Sequence, residues 1–348
     1  MSEKICVLIT CAGSMVIPGM VACLREENDY EFHIVGVDIH ENAVGGKFVD
    51  SFYKVPKSTD TVFSDRILEI ALKENVDLII PGDDDGVVAL SHFIDQFAKK
   101  NIAILSSNAL IVETLTDKGK MLSSLKKRGL PTPRFYLPTT LEELDKAVEL
   151  LYYPKNEIVL KPTRGIGGRG FWILSEKYNG QDLILNERNL QRLPYPVVRS
   201  LISEKDLLPP LMVMEYLTGS DFNVDVLSDK GRTLYTIPIK RLVPDAGPVQ
   251  EGCIIKDKKI NKIVQQVVSA FGLSFNTNIE LAYRDKLDGD NPLIYEINPR
   301  ISAPIAMHKY AGINLLLLGI LLCLGKSVPT NLQYNEIYMQ RCWREVYS

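Results

Sequence analysis

Two groups of residues in the 348-residue sequence have the types and spacing to do chemistry. The first is Lys161-Pro162-Thr163-Arg164-Gly165-Ile166-Gly167-Gly168-Arg169-Gly170, with four glycines in six positions between two apolar runs. Glycine reaches positive φ cheaply and lets backbone N–H groups close on an anion, as phosphates require. Lys161, at the end of the first run, adds a point charge. The G-x-x-x-x-G-K-[ST] phosphate loop is absent and a strand follows, so a plain hairpin turn is the other reading of this segment.

The second group is Asn278-Ile279-Glu280-Leu281 and Tyr295-Glu296-Ile297-Asn298-Pro299-Arg300, flanking a turn-rich stretch in which Asp288-Gly289 is a hairpin signal. Paired antiparallel, these runs bring Glu280 and Glu296 within about one residue of directly opposite, with Asn298 on the same face. Carboxylates so close repel unless a cation lies between them, and hard oxygen donors suit Mg²⁺ beside phosphates rather than zinc. Surface acids on a hairpin are the alternative, disfavoured by the apolar runs that hold both residues. Lys240-Arg241, ending the apolar run 235–239, could bind a γ-phosphate or a carboxylate; a solvated strand end is the competing reading.

These groups need elements to hold them. Apolar runs at 5–10, 32–38, 76–81 and 103–105 read as strands, alternating with helical stretches up to about residue 27, at 66–74 and at 87–99. Alternation at this spacing predicts a parallel sheet covered by helices, so residues 1–108 form one α/β unit. A helix over 117–128 stops at Gly129, with Pro131 and Pro133 beyond. Strands are expected at 158–161, 171–174, 211–216 and 222–227, the last with period-two alternation. Residues 109–325 thus read as an α+β unit rich in antiparallel pairs, and 326–348 as a tail too short to be a domain.

Composition narrows the function classes. Apolar residues make up 46% and charged residues 24%, ordinary for a globular chain with a sizeable core. Forty Lys and Arg against 43 Asp and Glu leave a net charge of −3, so no basic excess advertises nucleic acid. Six cysteines lack metal-ligand spacing and read as reduced cytosolic thiols. The N-terminus has no signal-peptide layout, and the apolar run 315–324 falls short of the ~18–20 residues of a membrane span. It reads as a buried helix.

The order Asp117-Lys118, Gly129-Leu130-Pro131-Thr132-Pro133, Lys161 with its glycine loop, Glu215-Tyr216-Leu217 and Asp221, Glu280, then Glu296-Ile297-Asn298-Pro299-Arg300 resembles ATP-grasp enzymes. It is most similar to the carbamoyl-phosphate synthase large-subunit-like branch, across residues 1–325. The resemblance implies an N-terminal parallel-sheet pre-ATP-grasp domain (1–108) and a two-subdomain ATP-grasp fold (109–325), whose lid subdomain spans about 133–215. Lys118 and Lys161 resemble the lysines that meet the nucleotide phosphates, and Gly165, Gly167, Gly168 and Gly170 the loop that covers them. Glu215 and Leu217 match the adenine hinge, and Asp221 the acid on the ribose hydroxyls. Glu280 and Glu296, with Asn298, match the magnesium ligands. Arg300 matches the arginine on the transferred phosphoryl group, where Lys240 or Arg241 would help to bind the acceptor. ATP and Mg²⁺ (or Mn²⁺) are the implied cofactors.

The implied reaction is a cytoplasmic carboxylate–amine ligation through an acyl-phosphate, taking a small-molecule carboxylate and a nitrogen nucleophile and releasing ADP and phosphate. No nucleic-acid or membrane partner is expected, and a homodimer is left open. Activation of bicarbonate or carbamate is the runner-up, although the chain is shorter than a two-module carbamoyl-phosphate synthase. In Pro81-Gly82-Asp83-Asp84-Asp85-Gly86, Gly86 stands where relatives carry an acid. A catalytically silent nucleotide-binding regulator would have eroded Lys161, Glu296 or Arg300, and has not. A nicotinamide-dependent oxidoreductase would need G-x-G-x-x-G after the first strand, but only Gly13 and then Gly19 occur there. His308 is expected to be a packed helix histidine.

Overall fold

β1 (Glu3–Ile9), β2 (Tyr30–Asp38), β3 (Ser51–Lys54), β4 (Leu78–Ile80) and β5 (Ala103–Ile104) form a parallel sheet in the order β3-β2-β1-β4-β5. Val7, Leu8 and Ile9 are wholly buried, as a strand covered on both faces requires. The computed structural model describes residues 2–27, 29–165, 170–177, 192–202, 208–243, 247–342 and 344–347. The single helix expected over 87–99 is two, Asp84–Ser91 and Ile94–Ala98. The first starts early because the Asp83 carboxylate accepts from Gly86 N at 2.9 Å, an N-cap that places Asp84 and Asp85 in the first turn.

A second sheet combines β6 (Phe135–Tyr136), β7 (Ile158–Pro162), β8 (Trp172–Leu174), β9 (Arg192–Leu193) and β10 (Leu211–Glu215) in the order β6-β10-β7-β8-β9. The third is wholly antiparallel: β11 (Asp221–Asp229), β12 (Arg232–Arg241), β13 (Glu251–Ile254), β14 (Phe275–Ala282), β15 (Leu293–Asn298) and β16 (Tyr338–Gln340), ordered β15-β14-β11-β12-β13-β16. β16 lies in the segment expected to be a tail. It pairs with β13, and Tyr235 Oη donates to Pro329 O at 2.6 Å, so this segment is tied to the sheet.

Period-two alternation gives the third sheet two unlike faces. Phe222, Val224, Ile279, Leu281 and Ile297 pack against the amphipathic helix Lys258–Phe271, which Asp257 caps and Gly272 ends in a left-handed turn. Asp221, Asn223 and Asp225 occupy the other face, joined in register by Glu280 and Asn278, and through these by Glu296 and Asn298. Farther along, that face becomes apolar: Ile237 and Ile239 share a core with Ile5, Val7 and the buried helix Leu315–Cys323. The helix expected at the apolar run is there. Among the described residues no helix is long and apolar enough to cross a membrane.

Candidate active site

Glu280 and Glu296 stand directly opposite each other on β14 and β15. Asn298 Nδ2 donates to Glu280 Oε1 at 3.3 Å and to Asn278 Oδ1 at 3.2 Å. Behind them runs a buried polar chain. Asn278 Nδ2 donates to Asn223 Oδ1 (2.7 Å) and Asp225 Oδ1 (3.0 Å), and Ser302 Oγ donates to Asp225 Oδ2 at 2.6 Å. His308, fully buried on its helix, lies 3.1 Å from the same Asp225 oxygen. The bonds among the asparagines, Asp225 and Ser302 fix the orientation of Asn298 behind the glutamates, while neither ring nitrogen of His308 makes a hydrogen bond among the described residues.

Three cations converge on the two glutamates. Asp117 caps the helix Lys118–Lys127 through Lys120 N, and the Lys118 backbone N–H donates to Thr163 O at 2.8 Å, fixing that helix end against β7. The Lys118 ammonium then lies 3.4 Å from Glu296 Oε1 and donates to Gly165 O at 3.1 Å. Lys161, at the end of β7, places its ammonium 3.9 Å from Glu296 Oε2. Arg241, ending β12, donates to Glu280 Oε2 at 3.1 Å and to Gly247 O at 2.7 Å, with Nε 3.6 Å from Asp221.

The electrostatics follow from this crowding. Burial, reinforced by Glu296 and Asp221, pushes the Glu280 carboxyl up to about 6, against the pull of Arg241. Burial works the same way on Glu296, but Lys118, Lys161 and Arg300 outweigh it and hold that carboxyl below its ordinary value. Burial lowers the Lys161 ammonium, with Glu296 resisting. Two carboxylates and an amide oxygen, one carboxyl raised chiefly by burial, are donor chemistry that fits a hard divalent cation. No cluster of three or more His, Cys, Asp or Glu side chains suited to a metal occurs among the described residues.

Not every expected site residue joins this centre. Gly165 and Gly170 adopt φ of 150° and 73°, and a Cβ on Gly170 would lie 2.9 Å from the Pro162 ring, so the strand end passes too close for a side chain. Gly167 and Gly168 lie outside the described residues. Glu215, expected at the hinge, ends β10, and its carboxylate is taken: it accepts from Arg134 N (2.9 Å) and Nε (3.3 Å), and from Arg284 Nη2 (3.2 Å) and Nε (3.3 Å). Leu217 is partly buried in the β10–β11 connection. Lys240 is a correction. It pairs in register with Phe222 and Cys253, so alternation sends it to the face opposite Arg241 and Glu280.

Two residues that sequence reasoning left without a role belong to the site. Asp84 accepts from Arg300 Nε at 2.6 Å, linking residues 216 positions apart. The acidic triplet was visible in the sequence, its partner was not. Tyr295 donates towards Asp221 Oδ1 (2.9 Å) and Glu280 Oε2 (3.1 Å). Alternation along β15 would put it on the apolar face, but the register shifts between Glu280 and Leu281, which makes Tyr295 a bulge residue.

Comparison with known proteins agrees with this architecture. Residues 207–342 match a family model described as ATP-grasp in the biosynthetic pathway with Ter operon, and residues 7–105 one for the PylC-like N-terminal domain. The carbamoyl phosphate synthase large chain of Pseudothermotoga lettingae is 24% identical over 317 residues, 87% of this chain and 26% of that protein. The arginine-specific large chain of Bacillus subtilis is 23% identical over 292 residues, 81% of this chain and 25% of that one. The chain thus spans about a quarter of the length of these curated relatives. Among solved structures, N5-carboxyaminoimidazole synthetase from Staphylococcus aureus complexed with ADP aligns with TM-score 0.70 at 15% identity, covering 96% of this chain and 81% of that one. A biotin carboxylase–β,γ-ATP complex from Campylobacter jejuni gives 0.66 at 17% identity, covering 93% and 72%. At these identities the likeness is one of fold.

Proposed function

For a chain that belongs with the ATP-grasp proteins, carrying an ATP-grasp domain behind a PylC-like N-terminal domain, we propose an ATP-dependent ligase that activates a small-molecule carboxylate as an acyl-phosphate and joins it to a nitrogen nucleophile. The observation that carries this reading is the convergence of Glu280, Glu296 and Asn298 with Lys118, Lys161 and Arg241 on one polar sheet face, with Arg300 beside them. Phosphoryl transfer needs positioned charge more than covalent help, and this face concentrates it.

In this reading Lys118 and Lys161 turn from Glu296 to the phosphate oxygens, a short movement for two flexible side chains. Glu280, Glu296 and Asn298 would hold Mg²⁺, which when bound neutralises charge on the phosphates. Asp221 takes the ribose hydroxyls, and the backbone around Glu215 and Leu217 meets the adenine. The glycine loop covers the phosphates. Arg300, oriented by Asp84, faces the phosphoryl group in transit. A carboxylate oxygen attacks the γ-phosphorus, the bond to the β,γ-bridging oxygen breaks, and ADP leaves. The nitrogen nucleophile then attacks the acyl carbon, phosphate leaves, and the nitrogen gives up a proton.

Activation of bicarbonate or carbamate is the second reading, favoured by the match along 87% of the chain to a carbamoyl phosphate synthase large chain. Phosphate release from ATP, assayed against pools of small carboxylic acids and amino acids and against bicarbonate with ammonia, separates the two. Release that needs a carboxylate and an amine together supports the ligase; release with bicarbonate and ammonia alone supports the second reading.

A further inference from the structure

Tyr295 touches the ribose-side, metal-side and phosphate-side residues of the proposed site. Its hydroxyl lies 2.9 Å from Asp221 Oδ1 and 3.1 Å from Glu280 Oε2, and the Lys161 ammonium stands 5.6 Å from its ring centroid. The bulge makes this reach possible. Glu280 pairs with Glu296, whereas Leu281 pairs with Ile294, so Tyr295 is the extra residue of β15 and turns onto the polar face beside Glu296. In unbroken alternation it would share the apolar face with Leu281 and Ile297.

A phenol has one proton to give, and here two acceptors compete for it. Whatever engages one carboxylate releases the proton to the other. Arg241 bridges the same pair, but as a permanent cation with donors for both, so it does not choose between them.

We infer that Tyr295 is a positioning residue that couples the ribose-side carboxylate Asp221 to the metal-side carboxylate Glu280, so that a divalent cation and a nucleotide strengthen each other's binding through its hydroxyl. The inference rests on the nucleotide and metal reading given above. A divalent cation drawing on Glu280 leaves the Tyr295 proton to Asp221, which is then fixed in one orientation for the ribose. Coupling of this kind is reciprocal and is measured as a ratio of affinities.

The test is calorimetric titration of the full chain with ADP, in EDTA and in excess MgCl₂, for wild type and Tyr295→Phe. Phenylalanine keeps the ring, the bulge and the contact with Lys161. Wild type is expected to bind ADP more tightly with Mg²⁺. In the variant, affinity in EDTA should stay within about twofold, while the Mg²⁺-dependent gain falls about fivefold or more. An equal gain in both proteins overturns the inference, and so does an equal loss with and without Mg²⁺, which marks a purely structural role. If wild type binds ADP no better with Mg²⁺ than without, the nucleotide and metal reading fails and the inference with it.

Discussion

Replacing Glu296 by glutamine keeps the shape of the side chain and removes the charge that two ammonium groups face. Lys118 lies 3.4 Å and Lys161 3.9 Å from its oxygens, with lysine side chains only 11% and 8% exposed. At an effective dielectric of about 20, each contact carries roughly 4–5 kcal/mol of Coulomb energy before desolvation and lysine–lysine repulsion are subtracted. Removing one partner of a buried pair costs about 3–5 kcal/mol in measured cases. Because Glu296 keeps 23% of its side chain exposed, a loss of about 2–3 kcal/mol is expected in urea unfolding at neutral pH. The pH dependence has a definite sign. Burial already holds Lys161 below its ordinary value, and losing Glu296 lowers it further. An amine whose folded pKa lies below its unfolded one binds fewer protons folded than unfolded, so stability rises with pH up to the ordinary lysine range. The deficit of Glu296→Gln should therefore be largest near pH 7 and shrink towards pH 10. Mg²⁺-dependent ADP affinity should fall at least tenfold. A variant within about 0.5 kcal/mol of wild type, with Mg–ADP affinity unchanged, refutes the reasoning.

Glu280, raised to about 6 chiefly by burial, binds its proton more tightly folded than unfolded. Its contribution to nucleotide-free stability is therefore full below the ordinary carboxylate pKa and is lost as pH rises through about 6, the range in which the carboxylate becomes ready for a cation. ADP titrations from pH 5 to 7 should show a growing Mg²⁺-dependent gain that Glu280→Gln flattens; a pH-independent gain in wild type contradicts this. Asp84→Ala leaves the guanidinium of Arg300, 20% exposed, without its carboxylate, and should cost about 2–4 kcal/mol and slow phosphate release. A double-mutant cycle with Arg300→Ala should give a coupling above about 1 kcal/mol, and additivity would deny the link. Glu215→Gln should lower stability by about 1 kcal/mol, since Arg134 and Arg284 are each 45% exposed, and change ADP affinity less than twofold, its carboxylate being turned to the arginines. A large loss of affinity at unchanged stability would return that carboxylate to the adenine.

Much of the fold and of the site was legible because local patterns and global structure agree. The apolar runs of β1, β2 and β4 needed only their neighbours to be read as parallel strands. The two acidic runs around Asp288-Gly289 pair with Glu280 opposite Glu296, as the hairpin signal predicts. The misses have physical causes. Lys240 and Arg241 are adjacent in sequence, yet period two sends them to opposite faces. Tyr295 reverses that rule because a bulge is a property of two paired strands, visible only once the register on both sides of Glu280 is known. Asp84 stood in an acidic triplet whose role the sequence left open, and the helix it begins was expected only from residue 87; its partner lies 216 residues away. The segment after residue 325 has too weak an alternation to announce β16, which forms because β13 offers an unpaired edge.

The central claim is that this polar face transfers the γ-phosphoryl group of ATP to a carboxylate. It is tested most directly on the products formed from Mg–ATP with a pool of small carboxylic acids, hydroxylamine replacing the natural nucleophile, read by phosphorus NMR for the nucleotide and phosphate and by absorbance of the ferric complex for the hydroxamate. ADP, inorganic phosphate and a hydroxamate should appear together, and only when a carboxylate is present. AMP with pyrophosphate would mean adenylation and contradict the account.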